Sequence, residues 1–338
     1  MFSDILNLFR FLKYQKKVKR IFFFENSFVE NHLEPYIYKN KNKDDTFIIS
    51  FYKIQNQNLK KFKIFQIKNF FFLNLFFILL ETKYCYSSTP DIDFTAFKRS
   101  VFNKTKYIYI QHSPVGLIKN YRSNAFTKFD IVQVVNRFQE LDLREINKVK
   151  NTKIKIWRGK YLFMNKNDIN LSIKSNSKIK ILIAPTWGTT FFKDKSHLLI
   201  KKNLNPEKYE LFLRPHSMSV TKKDIVINSF IKQNFKIVIG KINFSEYDIL
   251  ISDWGGIYIE FAKIMETKSI LIQNSEKNLN NEFYHFSSKS IHSLARSKLG
   301  EIIKLDNFEN IQNIINHILM NKSNYKKEIN NFFKNHFY

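Results

Sequence analysis

Four stretches of this sequence set chemistry-capable side chains directly after apolar, strand-like runs. YELFL ends in Arg214-Pro215-His216, KYIYI runs on into Gln111-His112-Ser113-Pro114, IKILIA into Pro185-Thr186-Trp187-Gly188, and DILI into Ser252-Asp253-Trp254-Gly255-Gly256. Arg214 and His216 are donors suited to phosphate oxygens, and a histidine also moves protons near neutral pH. His112 suits a general base acting on a hydroxyl. Thr186 adds a hydroxyl beside an aromatic platform. Two adjacent glycines are unusual in a chain with seven in 338 residues. They are predicted to clear space for diphosphate oxygens at the N-terminus of the next helix. Glu260, one turn into that helix, is predicted to reach ribose hydroxyls. Each feature has a plainer reading as well. His216 would be a solvent-facing side chain beside a turn proline, His112 a ring bonded to nearby backbone, Trp187 a packed side chain, and the glycines a tight strand-to-helix turn.

The elements that must position these residues form two series. The first is read as strands Arg20–Phe24, Thr46–Tyr52, Tyr84–Tyr86, Lys106–Ile110 and Asp130–Val135. A long helix fills the chain between Tyr52 and about Leu80, and another runs from Asn136 to about Lys148. The second comprises Ile179–Ala184, Tyr209–Leu213, Phe235–Ile239, Asp248–Ile251 and Ser269–Ile272, followed by a charged helical tail from Phe308. The strands are near-continuous apolar runs, the pattern of parallel strands covered on both faces by helices. The polar stretch Asn165–Lys178 reads as a linker. The expectation is therefore an α/β chain of two doubly wound Rossmann-like domains, residues 1–165 and 166–338, with a cleft between them: the GT-B arrangement. Ligands in such sheets bind beyond the carboxyl ends of the strands, where the four stretches lie.

Composition narrows the partners. Lys and Arg number 56 against 29 Asp and Glu, a formal charge of +27. That field attracts anions, whether nucleic acid, anionic lipid or phosphorylated substrate. Much of the excess is Lys, accompanied by abundant Asn, Ile and Phe. These four have A/T-rich codons, so a biased genome also yields such a charge. No nucleic-acid-binding motif accompanies it, and nucleic acid is not an expected partner. Cys85 is the single cysteine, which excludes an intramolecular disulfide or a cysteine metal cluster and fits a reducing compartment. No acidic metal motif stands out, so no bound metal is expected. The run FFFLNLFFILL at 70–80 is too short to span a membrane, which takes roughly 20 residues. The first twenty residues do not read as a signal peptide. Phe2, Ile5, Leu6, Leu8, Phe9, Phe11 and Leu12 give a helix a broad apolar side, with Lys13, Lys16, Lys17, Lys19 and Arg20 just after it. Such a segment lies in a lipid headgroup region or packs on its own domain.

Taken in order, QHSP, ILIAPTWG, LFLRPHS and DILISDWGGIYIEFA resemble the CDP-glycerol glycerophosphotransferase family, the teichoic-acid primases and polymerases, over roughly residues 20–275. The opening FFFENSFVENHLEPYIY is similar to that family's first strand and helix, with Glu25, Ser27 and Asn31 at its polar positions. The resemblance implies that His112 is the catalytic base and that His216 acts on the donor phosphates. The family's hydroxyl pair, taken to hold the diphosphate, falls on Gly255 and Gly256, so backbone N–H groups would have to suffice. Its HGTPLK segment reads HSPVGLIK, with altered spacing to Lys119. SDWGG is also similar to a segment of the non-hydrolysing UDP-GlcNAc 2-epimerases, which share the GT-B fold.

These readings lead to one expectation. A CDP-activated polyol donor, with no other cofactor, would bind Thr186, Arg214, Ser252, Asp253, Gly255, Gly256 and Glu260. His112 and His216 would move glycerol- or ribitol-phosphate onto a hydroxyl of a cell-surface glycan or lipid-linked precursor. The enzyme would be cytoplasmic and peripheral at the inner membrane face, beside anionic lipid. The alternatives are a nucleotide-sugar glycosyltransferase of capsule or lipopolysaccharide synthesis, an epimerase acting without an acceptor, and a nucleic-acid binder.

Overall fold

The computed structural model describes residues 2–39, 45–54, 56–94, 97–102, 104–164, 178–222, 225, 227–240, 242–287 and 289–338, with the side chains of 27–31 set aside. The linker expected at 165–178 lies outside the described residues, save Lys178. So do the side chains of Ser27 and Asn31.

Two parallel sheets carry the fold. The first contains β1 (Arg20–Phe24), β2 (Thr46–Ser50), β3 (Lys63–Gln66), β4 (Tyr84–Ser87), β5 (Lys106–Tyr109), β6 (Ile131–Val134) and β7 (Lys155–Arg158), in the order β3-β2-β1-β4-β5-β6-β7. The second contains β8 (Ile179–Ile183), β9 (Tyr209–Leu213), β10 (Lys236–Ile237), β11 (Ile249–Ser252), β12 (Ser269–Gln273) and β13 (Gly300–Lys304), in the order β10-β9-β8-β11-β12-β13. Every pairing within them is parallel, for example Phe22 opposite Ile48 on one side and Tyr86 on the other. Interior strands β2 and β11 are buried along their whole length. Both sheets reverse their strand order once, between β1 and β4 and between β8 and β11, and crevices open at such points.

Three strands were missed in the sequence reading: β3, β7 and β13. The long helix expected up to Leu80 is a strand followed by a short helix, Phe70–Ile78. Lys63–Gln66 is edge-exposed and only partly buried, so it lacks the apolar run that marks the central strands. The helix starts at Asn69, whose Oδ1 accepts the N–H groups of Phe71 and Phe72 at 2.9 and 3.4 Å, an N-cap.

The helix Phe2–Tyr14 divides its apolar residues between two environments. Leu8 and Phe11 are buried against the first sheet's core, Phe11 edge-on to Phe65 at 5.5 Å. Asp4 turns inward too, and its Oδ2 accepts the backbone N–H groups of Lys68 and Asn69 at 3.2 and 2.8 Å. Phe2 and Phe9 face outward, 75 and 66% exposed, as do Phe70 and Phe71 on the neighbouring helix. The broad apolar side expected from the sequence is thus split between core and surface. Among the described residues, no helix is long and apolar enough to cross a membrane.

Candidate functional site

The strand ends of the two sheets face one another. From the first sheet come Glu25 after β1, Ser88 and Thr89 after β4, and His112 after β5; from the second come Thr186, Arg214, the 253–256 turn and Lys277, after β8, β9, β11 and β12. Gln111 and Gln133, Tyr36, and the turn around Pro114 tie the first set together. Gln133 Nε2 donates to Tyr36 Oη at 2.6 Å, and Asn136 Nδ2 to the Pro114 carbonyl at 2.8 Å.

His112 Nδ1 lies 2.8 Å from the Tyr109 hydroxyl, which orients the ring; with the ring hydrogen on Nδ1 and donated to the Tyr109 oxygen, Nε2 carries the lone pair for proton exchange. Burial, and then the Lys277 ammonium, push its pKa down to about 4, while the Ser88 main chain favours the charged form. His216 caps the short helix Ser217–Thr221: its Nδ1 accepts the Met218 N–H at 3.1 Å. An accepting Nδ1 places the ring hydrogen on Nε2. Burial first, then Lys277, Arg214 and His112, lower its pKa to about 3. His32, which the sequence reading did not single out, has its ring centre 6.0 Å from that of His112. Burial, His112 and Arg214 hold its pKa near 3, and its Nδ1 has no partner among the described residues. All three imidazoles are neutral at pH 7.

The charge in the cleft is cationic and poorly compensated. Among the described residues Arg214 Nε is buried without a partner, and its Nη2 reaches only the Gly240 carbonyl at 3.4 Å. Lys277 is 9% exposed, and its Nζ sits 4.5 Å from the centre of the Trp187 ring. Lys222 Nζ lies 4.4 Å from that centre. Burial lowers the Lys277 pKa to about 8, opposed by Asp253 and reinforced by Lys222. Such an arrangement takes up anions, because a bound anion relieves both the desolvation of the cations and their mutual repulsion. Lys277 sits beyond a strand end like the other site residues, and the same rule applied to β12 would have found it. His32 and Tyr161 carried no such signal.

Several residues expected to bind the donor make bonds or close contacts within the protein. Ser252 is fully buried, and its Oγ donates to the Ala184 carbonyl at 2.7 Å. Asp253 is fully buried too. Its Oδ1 accepts the Thr186 N–H at 2.9 Å and its Oδ2 the Thr189 hydroxyl at 2.8 Å. These bonds set the 185–190 turn and leave little of the carboxylate for a ligand. Thr186 is itself 8% exposed and packs on Gly255, where an added Cβ would come within 3.2 Å of the threonine Cβ. At Gly256 a Cβ would lie 2.4 Å from Ser113 Oγ and 3.1 Å from Pro114 Cδ. Neither glycine has a positive φ. What they admit here is protein: Gly256 lets the second domain close on the turn after His112.

Glu260 also has a partner within the protein. Its Oε1 is 2.8 Å from Tyr161 Oη, which lies 2.9 Å from the His112 carbonyl oxygen. Burial pushes the Glu260 pKa up to about 7, against Tyr161 and Arg214. The Tyr161 hydroxyl donates to Glu260 Oε1 or to the His112 carbonyl, and so sits between the two. Glu260 thereby links the two halves of the cleft in this conformation through one carboxylate oxygen. Glu25, at the end of β1, accepts the Thr89 hydroxyl at 2.9 Å. Lys119 Nζ pairs with Glu276 at 2.6 Å across the domains. Among the described residues, no group of three or more His, Cys, Asp or Glu is placed to hold a metal ion.

No family model matches this chain, and no curated protein sequence matches it. Solved structures do. The wall teichoic acid polymerase TagF, soaked with CDPG, matches at 15% identity over 99% of this chain and 92% of that one, with a TM-score of 0.55. A putative UDP-N-acetylglucosamine 2-epimerase from Listeria monocytogenes matches at 9% identity, covering 93 and 90% of the two chains, with a TM-score of 0.55. The UDP-GlcNAc 2-epimerase from Neisseria meningitidis, bound to UDP-GlcNAc, matches at 11% identity over 93 and 94%, with a TM-score of 0.52. At such identities the likeness carries architecture alone, and with the two parallel sheets on facing sides of a cleft it establishes that this chain has the GT-B fold.

Proposed function

We propose that the protein is a transferase using a nucleotide-diphosphate donor, and that it moves glycerol- or ribitol-phosphate from a CDP-activated donor to a hydroxyl of a cell-surface glycan or its lipid-linked precursor. The observation that carries this reading is the buried, poorly compensated pair Arg214 and Lys277 beside three neutral imidazoles at the strand ends. Fold likeness to a polymerase soaked with CDPG supports the donor class. In this reaction His112 Nε2 takes the proton of the acceptor hydroxyl, and the oxygen attacks the β-phosphorus. The bond from that phosphorus to the bridging oxygen breaks, and CMP departs with the electron pair. Arg214, Lys277 and the Nε2–H of His216 face the growing charge, the main task in phosphoryl transfer. The diphosphate also raises His112 basicity, because nearby negative charge favours imidazolium.

A second reading, a nucleotide-sugar glycosyltransferase, draws support from the glycines at 255 and 256, where the resembled family carries hydroxyls. Turnover of CDP-glycerol, CDP-ribitol and UDP- or CMP-sugars by the purified chain separates the two.

The ammonium of Lys277 gives a pH test. It is charged below about 8 and loses its proton above, so CDP affinity measured by calorimetry should fall as pH rises through that value. Lys277→Met should weaken CDP binding about tenfold and flatten the pH dependence. Arg214→Ala should weaken binding without changing that pH dependence. Unaltered CDP affinity in both variants contradicts the assignment.

The reading places the enzyme at the inner face of the cell membrane, held peripherally. Exposed Phe2, Leu6, Phe9, Phe70 and Phe71 form the apolar contact, and Lys13, Lys16 and Lys17 lie exposed along the same segment. Anionic vesicles should retain the protein in flotation. Replacing Phe2, Phe9 and Phe71 together by Ser should weaken retention by more than about tenfold, and high salt should weaken it further. Because Leu8 and Phe11 belong to the core, point replacement is the informative change rather than deletion of the helix. Equal retention of variant and parent removes the membrane reading.

A further inference from the structure

We propose that the cavity of about 570 Å³ between the two domains, beside Trp254, is a second ligand site built for an uncharged sugar unit. None of His32, His112, Arg214, His216 or Lys277 lines it. It is bounded by Gly116, Ile118, Lys119 and Asn120 from the first domain and by Trp254, Gln273, Glu276 and residues from 283–286 and 289–297 of the second. Its volume is that of a small-molecule site.

The inner wall holds an unmet polar group. His292 lines the cavity and is 2% exposed. Its Nδ1 lies 2.9 Å from the hydroxyl of Tyr258, which is wholly buried. Burial keeps that phenol protonated, so Tyr258 donates to Nδ1 and the ring hydrogen resides on Nε2. Among the described residues His292 Nε2 has no partner, and a buried N–H without an acceptor is a cost that native structures rarely leave standing. A ligand oxygen in the cavity removes it.

The rest of the wall selects the ligand. Its cations are largely spent. Lys119 is bonded to Glu276, and Arg296 donates to the carbonyls of Asp253 and Ile272 at 2.7 and 3.1 Å while its guanidinium lies 4.0 Å from the centre of the Trp254 ring. Asp142 adds a further negative charge to the wall, and its Oδ2 accepts the Leu117 N–H. With the carboxylates of Asp142 and Glu276 opposite Lys119, Lys289 and Arg296, the wall is near charge balance and holds no free cation cluster for a diphosphate. What faces the space is aromatic and neutral polar. Tyr284 is 68% exposed and Phe283 39%, with Gln273, Ser290 and Ser293 beside them. Flat apolar faces with hydroxyl and amide groups at their edges match a pyranose, which shows carbon to one side and hydroxyls around its rim. If the transfer reading above holds, this is where the acceptor glycan is gripped, because Gly116 lies four residues beyond His112 in the turn that Gly256 contacts. The sugar-binding claim itself does not need that reading.

The test uses the full chain and three neutral disaccharides, N,N′-diacetylchitobiose, maltose and lactose, at millimolar concentration, followed by saturation-transfer NMR. At least one should bind saturably. Tyr284→Ala, at an exposed position that leaves the core intact, should weaken it about tenfold through loss of one aromatic face. His292→Phe keeps the ring and removes the donor, and should also weaken it. CDP should not displace the disaccharide, and Tyr284→Ala should bind CDP as the parent does. Binding of none of the three, equal binding by parent and both variants, or competitive displacement by CDP overturns the proposal. Disaccharide binding in a protein that ignores CDP would uphold this site while removing the donor reading.

Discussion

His112→Ala is expected to lower turnover of a CDP-polyol donor by about 10²–10⁴, the usual worth of a positioned general base, while CDP binding and thermal stability stay near those of the parent. The ring projects from the turn after a fully buried strand end, Tyr109 at 0% exposure, so its loss empties part of the cleft and leaves the first core intact. The polar interactions sacrificed are those with the Tyr109 hydroxyl and the Ser88 main chain. Tyr109→Phe should therefore act through His112: the rate should fall less than in His112→Ala, and the falling acid limb of the pH–rate profile should move, because the ring loses the bond that orients it. Near-parent turnover in His112→Ala removes the assignment. A rate loss accompanied by an equal loss of CDP affinity would make His112 a binding residue and leave the base unidentified.

Gly256→Val should abolish activity by preventing closure of the two domains, at a cost of about 1–3 kcal/mol for an overpacked contact. The reason is geometric. A Cβ at 256 lies 2.4 Å from Ser113 Oγ and 3.2 Å from Val115 Cγ1. Gly256→Ala carries the same first clash, and pairing it with Ser113→Ala removes the offending oxygen. Recovery of much of the activity in the double variant is the expected result. If the glycine serves instead to admit diphosphate oxygens, Ser113→Ala restores nothing, and the double variant is as inactive as Gly256→Ala alone. Small-angle scattering, which distinguishes open from closed domains, reads the same question without activity.

The strand ends were legible in the sequence because of one repeated physical constraint. A parallel strand covered on both faces must be apolar throughout, so YELFL, KYIYI and DILI announce themselves, and the polar residues next in line fall at the carboxyl edge. That placed Arg214, His216 and His112 correctly at strand ends without any knowledge of the fold. Edge strands lack the constraint. Lys63–Gln66 is half solvated and was absorbed into a helix, and Lys155–Arg158 and Gly300–Lys304 escaped notice for the same reason.

What a side chain does once it is at a strand end is settled by partners distant in sequence, and no local pattern carries them. Ser252 and Asp253 read as ligand-binding residues, yet their oxygens are taken by Ala184, Thr186 and Thr189, more than sixty positions away. Glu260 finds Tyr161 from the other domain. The paired glycines stood out by rarity alone, and only the approach of Ser113 and Thr186 shows what their missing side chains make room for. Sequence by itself determined the period, the apolar runs and hence the two sheets, because those follow from each residue's own tendency to leave water. The tertiary structure alone decided which polar groups are satisfied and which stay unpaired, because a hydrogen bond is used up by whichever partner the folded chain brings within about 3 Å.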